Sequence, residues 1–547
     1  MAAAVEATPL PRLSPSPSSD FSPESYDQAR KPRLKKMVGD KSTWASGEGD
    51  LPPPLDPRYV EVKKRLVRPE NYEAVTASWF RLLDALEKEV EVIEAAGSDY
   101  IPTVDFNTIS PTTGTFPPEI ANLIKQRGCV AIRNVVPPSQ ALTWKHTLQT
   151  YLTHHPDIQG FPPSHPQIWS AFWTPPQIEA RTHPSMLAAQ TAMSKLYTLP
   201  TPTTTTTTTN TPIVEIDLEN QALYADRFRI RPPGTTYTLL PPHLDNGSIE
   251  RWEDPLYSQV FTPIWEGNWE SYDPWDMTYR ADATIDLHGG PGSCSAFRSL
   301  QGWLSLSNNG PGRGTLQLIP SLRLTTAYLL LRPFFTPSNT LDVTSSYFHG
   351  ASPGQGQILT ETWHPHLQLP RTMLSVPEAP PGTYVFWHCD MVHQVEDIHA
   401  GNEDSSVMYL PVVPLCRYNI GNLVEQRKAF LEGGNPPDMP AAARGVVLAE
   451  GGRDGRDGQI VEEGGKVMEE GGQGGRRQDG QRVVDQQDEQ LLVVEGKHAD
   501  RGTSAHILSE QGRRLFGLVG FEIGDGGNGI TEGQRRIRRA ANEALGF

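Results

Sequence analysis

Along residues 78–96 the apolar positions Phe80, Leu83, Leu86, Val90 and Ile93 recur three to four apart, with Gly97 behind them. That spacing predicts an amphipathic helix stopped by glycine. Residues 140–151 and 184–197 read as two further helices with one apolar face. The pattern then changes. Residues 235–240 (Thr-Thr-Tyr-Thr-Leu-Leu) are β-branched and aromatic, and two prolines follow, so they predict a strand with residues 243–245 at its mouth. Residues 301–320 read as strand, Gly-rich turn, strand, which predicts a hairpin. Gly382 opens a turn before a strand at 384–387. Helices first and strand units later predict a mainly β core, barrel-like, with flanking helices.

Long stretches carry no such pattern. Residues 1–57 are rich in Pro, Ser and Ala and read as a disordered tail. Threonine fills 203–209, a surface-loop insert. Residues 451–480 hold eleven glycines among charged residues, and 441–500 are expected to form a disordered insert. The core domain is therefore placed at 58–440.

Composition narrows the setting. The formal net charge of -16 disfavours nucleic acid, whose binding rests on neutralising phosphates. No run of 18 apolar residues predicts a membrane span. The N-terminus lacks an apolar signal core. Four widely spaced cysteines (129, 294, 389, 416) form neither a disulfide framework nor a CxxC clip. A reducing, cytoplasmic setting is expected, and the short basic stretch 31–36 reads as part of the solvated tail.

Chemistry concentrates in His243-Leu-Asp245, matched far downstream by His388 and His393. In extended backbone a His-x-Asp pair projects both side chains to one side. One more histidine completes a two-histidine, one-carboxylate face that leaves metal positions open, the donor set of non-haem Fe(II). Spacing alone leaves both downstream histidines as candidates, because residues five apart in a straight strand face opposite ways. Cys389 reads as a buried small side chain. Asp390 is a weaker carboxylate candidate than Asp245.

Several blocks carry a family resemblance. Trp303-Leu-Ser-Leu-Ser followed by Gly314-Thr-Leu-Gln-Leu-Ile-Pro, and Gly128-Cys-Val-Ala-Ile-Arg-Asn-Val-Val, resemble strands of phytanoyl-CoA-dioxygenase-like enzymes. Asp226-Arg-Phe-Arg-Ile-Arg-Pro-Pro-Gly, the block from His243 to Pro255, Tyr272-Asp-Pro-Trp-Asp, Phe297-Arg-Ser-Leu-Gln-Gly-Trp, Leu331-Arg-Pro-Phe-Phe and Pro436-Pro-Asp resemble the domain-of-unknown-function 1479 family. The resemblance spans most of residues 60–440. Residues 507–517 and the helical segment 532–545 resemble the family's closing elements, so 501–547 would complete the domain and the insert would interrupt it.

The resemblance implies a double-stranded β-helix of jelly-roll, cupin-like type. It implies an Fe(II)- and 2-oxoglutarate-dependent oxygenase acting with dioxygen on a small organic substrate. The third metal ligand becomes His393, and His388 becomes a neighbour that bonds a ligand or substrate, or simply packs. The far carboxylate of 2-oxoglutarate needs a cation, usually a bidentate arginine. Related enzymes place it on the strand after the distal histidine, but residues 402–410 contain no Arg or Lys. Arg298, leading into the central strand, is the first choice. Arg417 and Arg231 stand behind it, with Arg229 nearby and Tyr237 as a further cosubstrate contact. The aromatic segment 252–275 forms a lid or buries an insertion, and Glu250, Arg251 and Trp252 are the substrate candidates. A cupin-like metal enzyme without a keto acid, and a non-catalytic scaffold on the same fold, are the alternatives.

Overall fold

The computed structural model describes residues 51–200, 213–237, 240–289, 294–439, 509–524 and 530–547. The threonine run, most of the N-terminal tail and the 441–500 insert lie outside the described residues. The tail docks earlier than expected: Leu55 N–H donates to the Ser346 carbonyl (3.0 Å).

Two sheets build the core. The larger runs, in spatial order, through β1 (Thr103–Asp105), β2 (Cys129–Arg133), β12 (Tyr384–His388), β8 (Leu300–Ser305), β14 (Ser405–Tyr409), β6 (Phe228–Arg231), β4 (Ile168–Trp169) and β3 (Gly160–Phe161). The smaller runs through β10 (Gln357–Ile358), β7 (His243–Leu244), β13 (His393–Val395), β9 (Leu316–Leu318) and β11 (Leu374–Ser375). β5 (Ile216–Gln221) and β15 (Pro414–Cys416) pair separately. From β6 to β9, and again from β12 to β14, successive strands alternate between the two main sheets. Side chains of both enter one buried cluster, among them Ile132, Trp303 and Phe386 from the larger and Leu244 and Leu318 from the smaller.

Three expectations need correction. The molecule is mixed α and β, not mainly β. Its strands are short, whereas helices Tyr72–Ala96, Pro138–His154, Leu322–Leu331 and Arg417–Glu432 are longer than any of them. Residues 301–320 are no hairpin. β8 pairs with β12 and β14, while β9 lies in the other sheet between β13 and β11. Gly310, Gly312 and Gly314 adopt positive φ along that crossing, which side chains would resist. Within 235–240, residues 238 and 239 lie outside the described residues, and Thr236 makes only an isolated bridge to Ile398. His243 is itself a strand residue, after the prolines.

The first long helix starts at Tyr72 and buries Val75, Trp79, Leu82, Leu86, Val90 and Ile93. Phe80, expected in that stripe, is 49% exposed. Trp79 takes its place and stacks on Phe335 at 4.5 Å between centroids. Ile537, Ala541 and Leu545 of helix Glu532–Leu545 share a second buried cluster with Leu423 and Phe430. No helix among the described residues is long and apolar enough to cross a membrane. All four cysteines are free and buried.

Gly382 sets up the strand that leads to the site. Its φ is +87°, and a Cβ there would lie 2.2 Å from the Val136 carbonyl oxygen. Left-handed backbone costs an ordinary residue roughly 1–2 kcal/mol before any clash is added. Gly382→Ala is therefore expected to lower stability by more than that, read as a fall in the denaturant midpoint at unchanged slope.

Candidate metal centre

β7 and β13 lie side by side in the smaller sheet, and His243 and His393 are direct cross-strand partners. Their rings sit 4.2 Å apart between centroids. Asp245, two residues beyond His243, reaches back between them. One carboxylate oxygen lies 3.3 Å from His243 Nε2 and the other 3.3 Å from His393 Nε2. The donor atoms of all three lie within 4.8 Å of one another.

The ring orientations are fixed from behind. His243 Nδ1 is 2.8 Å from the Pro241 carbonyl, and His393 Nδ1 is 3.1 Å from the Met391 carbonyl. A carbonyl only accepts, so each Nδ1 carries the proton and donates it, leaving both Nε2 lone pairs aimed at Asp245. Burial, together with His243, lowers the pKa of His393, which favours the neutral imidazole a metal requires. Burial raises the Asp245 carboxyl, but His243 and His393 in their protonated forms outweigh it and hold the group well below the usual carboxylate range. The histidines are buried while the Asp245 side chain is 31% exposed, so the open side of the centre lies there. Two imidazoles, one carboxylate and an accessible face fit a divalent first-row ion with free positions.

His388 goes elsewhere. Alternation along β12 sends Trp387 toward the centre, its ring 5.3 Å from that of His393, and His388 to the opposite face. There the His388 ring packs against Trp275 (4.9 Å) and Tyr197 (5.6 Å). Its Nε2 donates to the Pro274 carbonyl and its Nδ1 accepts from Asp390 N–H. Burial, with Arg280 beside it, pushes its pKa down to about 3. His388, Cys389 and Asp390 also cluster within metal-ligand distances. Asp390, however, is held by Arg280 (2.7 Å), Arg251 (3.4 Å) and the Tyr257 hydroxyl (3.2 Å). Two guanidiniums on the only carboxylate oppose a cation there.

The aromatic segment after the His-x-Asp pair is buried packing. Trp252, Tyr257, Phe261, Trp265, Tyr272 and Trp275 are all within the core. Glu250, Arg251 and Trp252 are committed to the Ser248 N–H, to Gly247 and Asp390, and to the Leu330 carbonyl respectively. None of the three turns a free polar group to the metal face.

The arginines separate clearly. Arg231 uses all five N–H groups on Thr235, Gly314, Glu396 and Asp397, so it has none left for a ligand. Arg417 pairs with Glu215 on the helix Arg417–Glu432. Arg298 places Nη2 3.8 Å from Asp245, on the metal face. Arg229 projects to the same side of β6 as Arg231, whose bonds to Glu396 and Asp397 show that this side faces the smaller sheet. Arg229 donates to Ser405 Oγ (3.1 Å), and its buried Nε has no partner among the described residues. Tyr237 and Tyr409 lie within electrostatic reach of Arg229, and Tyr409 also of Asp245. Burial pushes the Tyr237 hydroxyl up to about 12, so it stays protonated.

Sequence reading passed over Gln301 and Trp387. They are cross-strand partners on β8 and β12, and both carry a buried N–H group without a partner among the described residues. Strand alternation, applied to 384–388, was enough to turn Trp387 toward His393.

A family model described as Gig2-like matches residues 53–469. A crystal structure of GlcNAc Inducible Gene 2, GIG2 (DUF1479), from Candida albicans is 34% identical, covers 90% of this chain and 96% of its own, and superposes with a TM-score of 0.72. A Salmonella typhimurium LT2 structure, provisionally named an oxidoreductase, is 29% identical with a TM-score of 0.58 over 71% of this chain and 92% of its own. The uncharacterized protein YbiU of Escherichia coli K12 is 31% identical over 64% of this chain and 82% of its own length. With the model match covering well over half its length, the chain belongs to the Gig2-like family.

Proposed function

We propose that the protein is an Fe(II)- and 2-oxoglutarate-dependent oxygenase that oxidises, most simply hydroxylates, a small organic substrate. In this reading the alternating sheets form a double-stranded β-helix, and residues 58–440 with 501–547 make one catalytic domain. The observation that carries it is the convergence of His243 Nε2, His393 Nε2 and the Asp245 carboxylate, with both tautomers set by backbone carbonyls. The name of the Salmonella relative points to the same class of chemistry.

Bound at the three ligands, Fe(II) supplies activation of dioxygen coupled to oxidation of the keto acid. The protein's residues do the rest. Pro241 and Met391 hold the imidazoles in place, Trp387 walls the centre beside His393, and the open side next to Asp245 admits small molecules.

Arg229, and not Arg298, fits the far carboxylate of 2-oxoglutarate. Arg298 lies too near the ligand carboxylate to meet the remote end of a five-carbon diacid bound at the metal. Arg229 projects from β6 toward the smaller sheet, directly opposite Val407 of β14, and shares the neighbour Tyr409 with Asp245. It reaches from the neighbouring strand the region that residues 402–410, lacking Arg and Lys, leave without a cation. Arg229→Ala is expected to retain metal and weaken 2-oxoglutarate about tenfold to a hundredfold, as loss of a charge-assisted pair implies. Calorimetric titration of Mn(II)-loaded protein checks this. Unchanged affinity in Arg229→Ala would move the anchor elsewhere.

A further inference from the structure

Among the described residues Arg298 has no counterion of its own. Its one carboxylate neighbour within 4 Å among the described residues is Asp245, at 3.8 Å, and that group is a metal ligand. The other nearby acid, Asp226, accepts from the backbone and Nε of Arg227. Arg298 lies 5.6 Å from the centroid of the Tyr224 ring, its side chain is 12% exposed, and its buried Nε has no hydrogen-bond partner among the described residues.

Two donors on β8 and β12 also lack partners among the described residues. Gln301 Nε2 and Trp387 Nε1 are buried, unpartnered donors on facing strands, and the Trp387 ring borders His393. Donors without acceptors among the described residues, beside a guanidinium whose one near carboxylate is a metal ligand, call for a ligand rich in acceptor oxygens.

A charge count agrees, and here the inference rests on the reaction proposed above. Fe(II) with Asp245 leaves one positive charge, and Arg229 and Arg298 bring the total to three. Dianionic 2-oxoglutarate removes two. A buried charge left uncompensated is costly, so one negative charge remains to be supplied.

We infer that the substrate is an organic acid whose carboxylate is held by Arg298 beside the metal face. Because Arg298 nearly touches a ligand oxygen, the carbon that is oxidised lies only a few bonds from that carboxylate. Neutral substrates lack a partner for this guanidinium.

The test uses full-length protein loaded with redox-inert Mn(II), with and without 2-oxoglutarate. Butyrate and its neutral isostere butyramide are titrated by calorimetry. The expected result is a preference of about tenfold or more for the acid, the scale of one charge-assisted contact. Arg298→Gln is expected to erase that preference, and Arg298→Lys to restore part of it. Equal binding of acid and amide, binding of neither, or a preference that survives in Arg298→Gln would overturn the inference. Failure of 2-oxoglutarate itself to bind would contradict the proposed reaction, and is read separately from the acid–amide comparison.

Discussion

Replacing Asp390 with alanine is expected to destabilise the protein more than any other single change considered. The carboxylate is buried and pairs with Arg280 at 2.7 Å and Arg251 at 3.4 Å, with the Tyr257 hydroxyl at 3.2 Å. Removing it leaves two buried guanidiniums facing each other, and breaking a buried pair in this way costs on the order of 3–5 kcal/mol. The damage reaches the centre, because Asp390 sits in the turn that carries the chain from β12 to His393, while Arg251 and Arg280 anchor the segment following Asp245. Burial raises the Asp390 carboxyl, but the two arginines outweigh it and hold its folded pKa well below the usual value. A carboxyl lowered on folding contributes stability above its unfolded pKa of about 3.9 and loses it as pH falls further. Wild type should therefore lose stability below about pH 4 more steeply than Asp390→Asn. Denaturant unfolding from neutral to acid pH checks both parts. A small stability change in Asp390→Ala would show that the arginines find other partners.

The largest effect on function is expected at the three ligands. His243→Ala, Asp245→Ala and His393→Ala should each abolish stoichiometric metal binding, a greater loss than the roughly 10–100-fold that removing an outer-shell partner costs. His388→Ala should keep the metal, since its ring is buried on the opposite face of β12 among Trp275, Tyr197 and the Pro274 carbonyl. It should instead lower the melting temperature by leaving a cavity. Metal content after dialysis, beside a melting curve, separates the two classes. Loss of metal in His388→Ala with retention in His393→Ala would reverse the assignment of β12 and β13.

Local chemistry was the most readable part of the sequence. The two-residue spacing of His243 and Asp245 encodes a shared face because strand side chains alternate, and Gly382 marks a turn because its backbone needs positive φ. Contacts set at long range were not readable. Whether 301–320 closes on itself or crosses between sheets depends on β12 and β14, far away in the chain, so the hairpin signal misled. Glu250, Arg251 and Trp252 stood next to the ligands in sequence, yet Asp390 and Leu330 draw Arg251 and Trp252 inward. Arg229 was hard to single out for a similar reason. Its value lies in facing Val407 across β6 and β14, a register no local pattern reveals. Phe80 and Trp79 are adjacent, and the choice of which one enters the core was made by Phe335.

The central claim is that His243, Asp245 and His393 hold Fe(II) for keto-acid chemistry. The most direct measurement is anaerobic titration of the purified protein with Fe(II) and then 2-oxoglutarate, followed by visible absorption. One bound iron and the weak charge-transfer band of a chelated keto acid are expected, with both absent in Asp245→Ala. Iron bound without any band would contradict the use of 2-oxoglutarate, and no iron bound at all would contradict the metal centre.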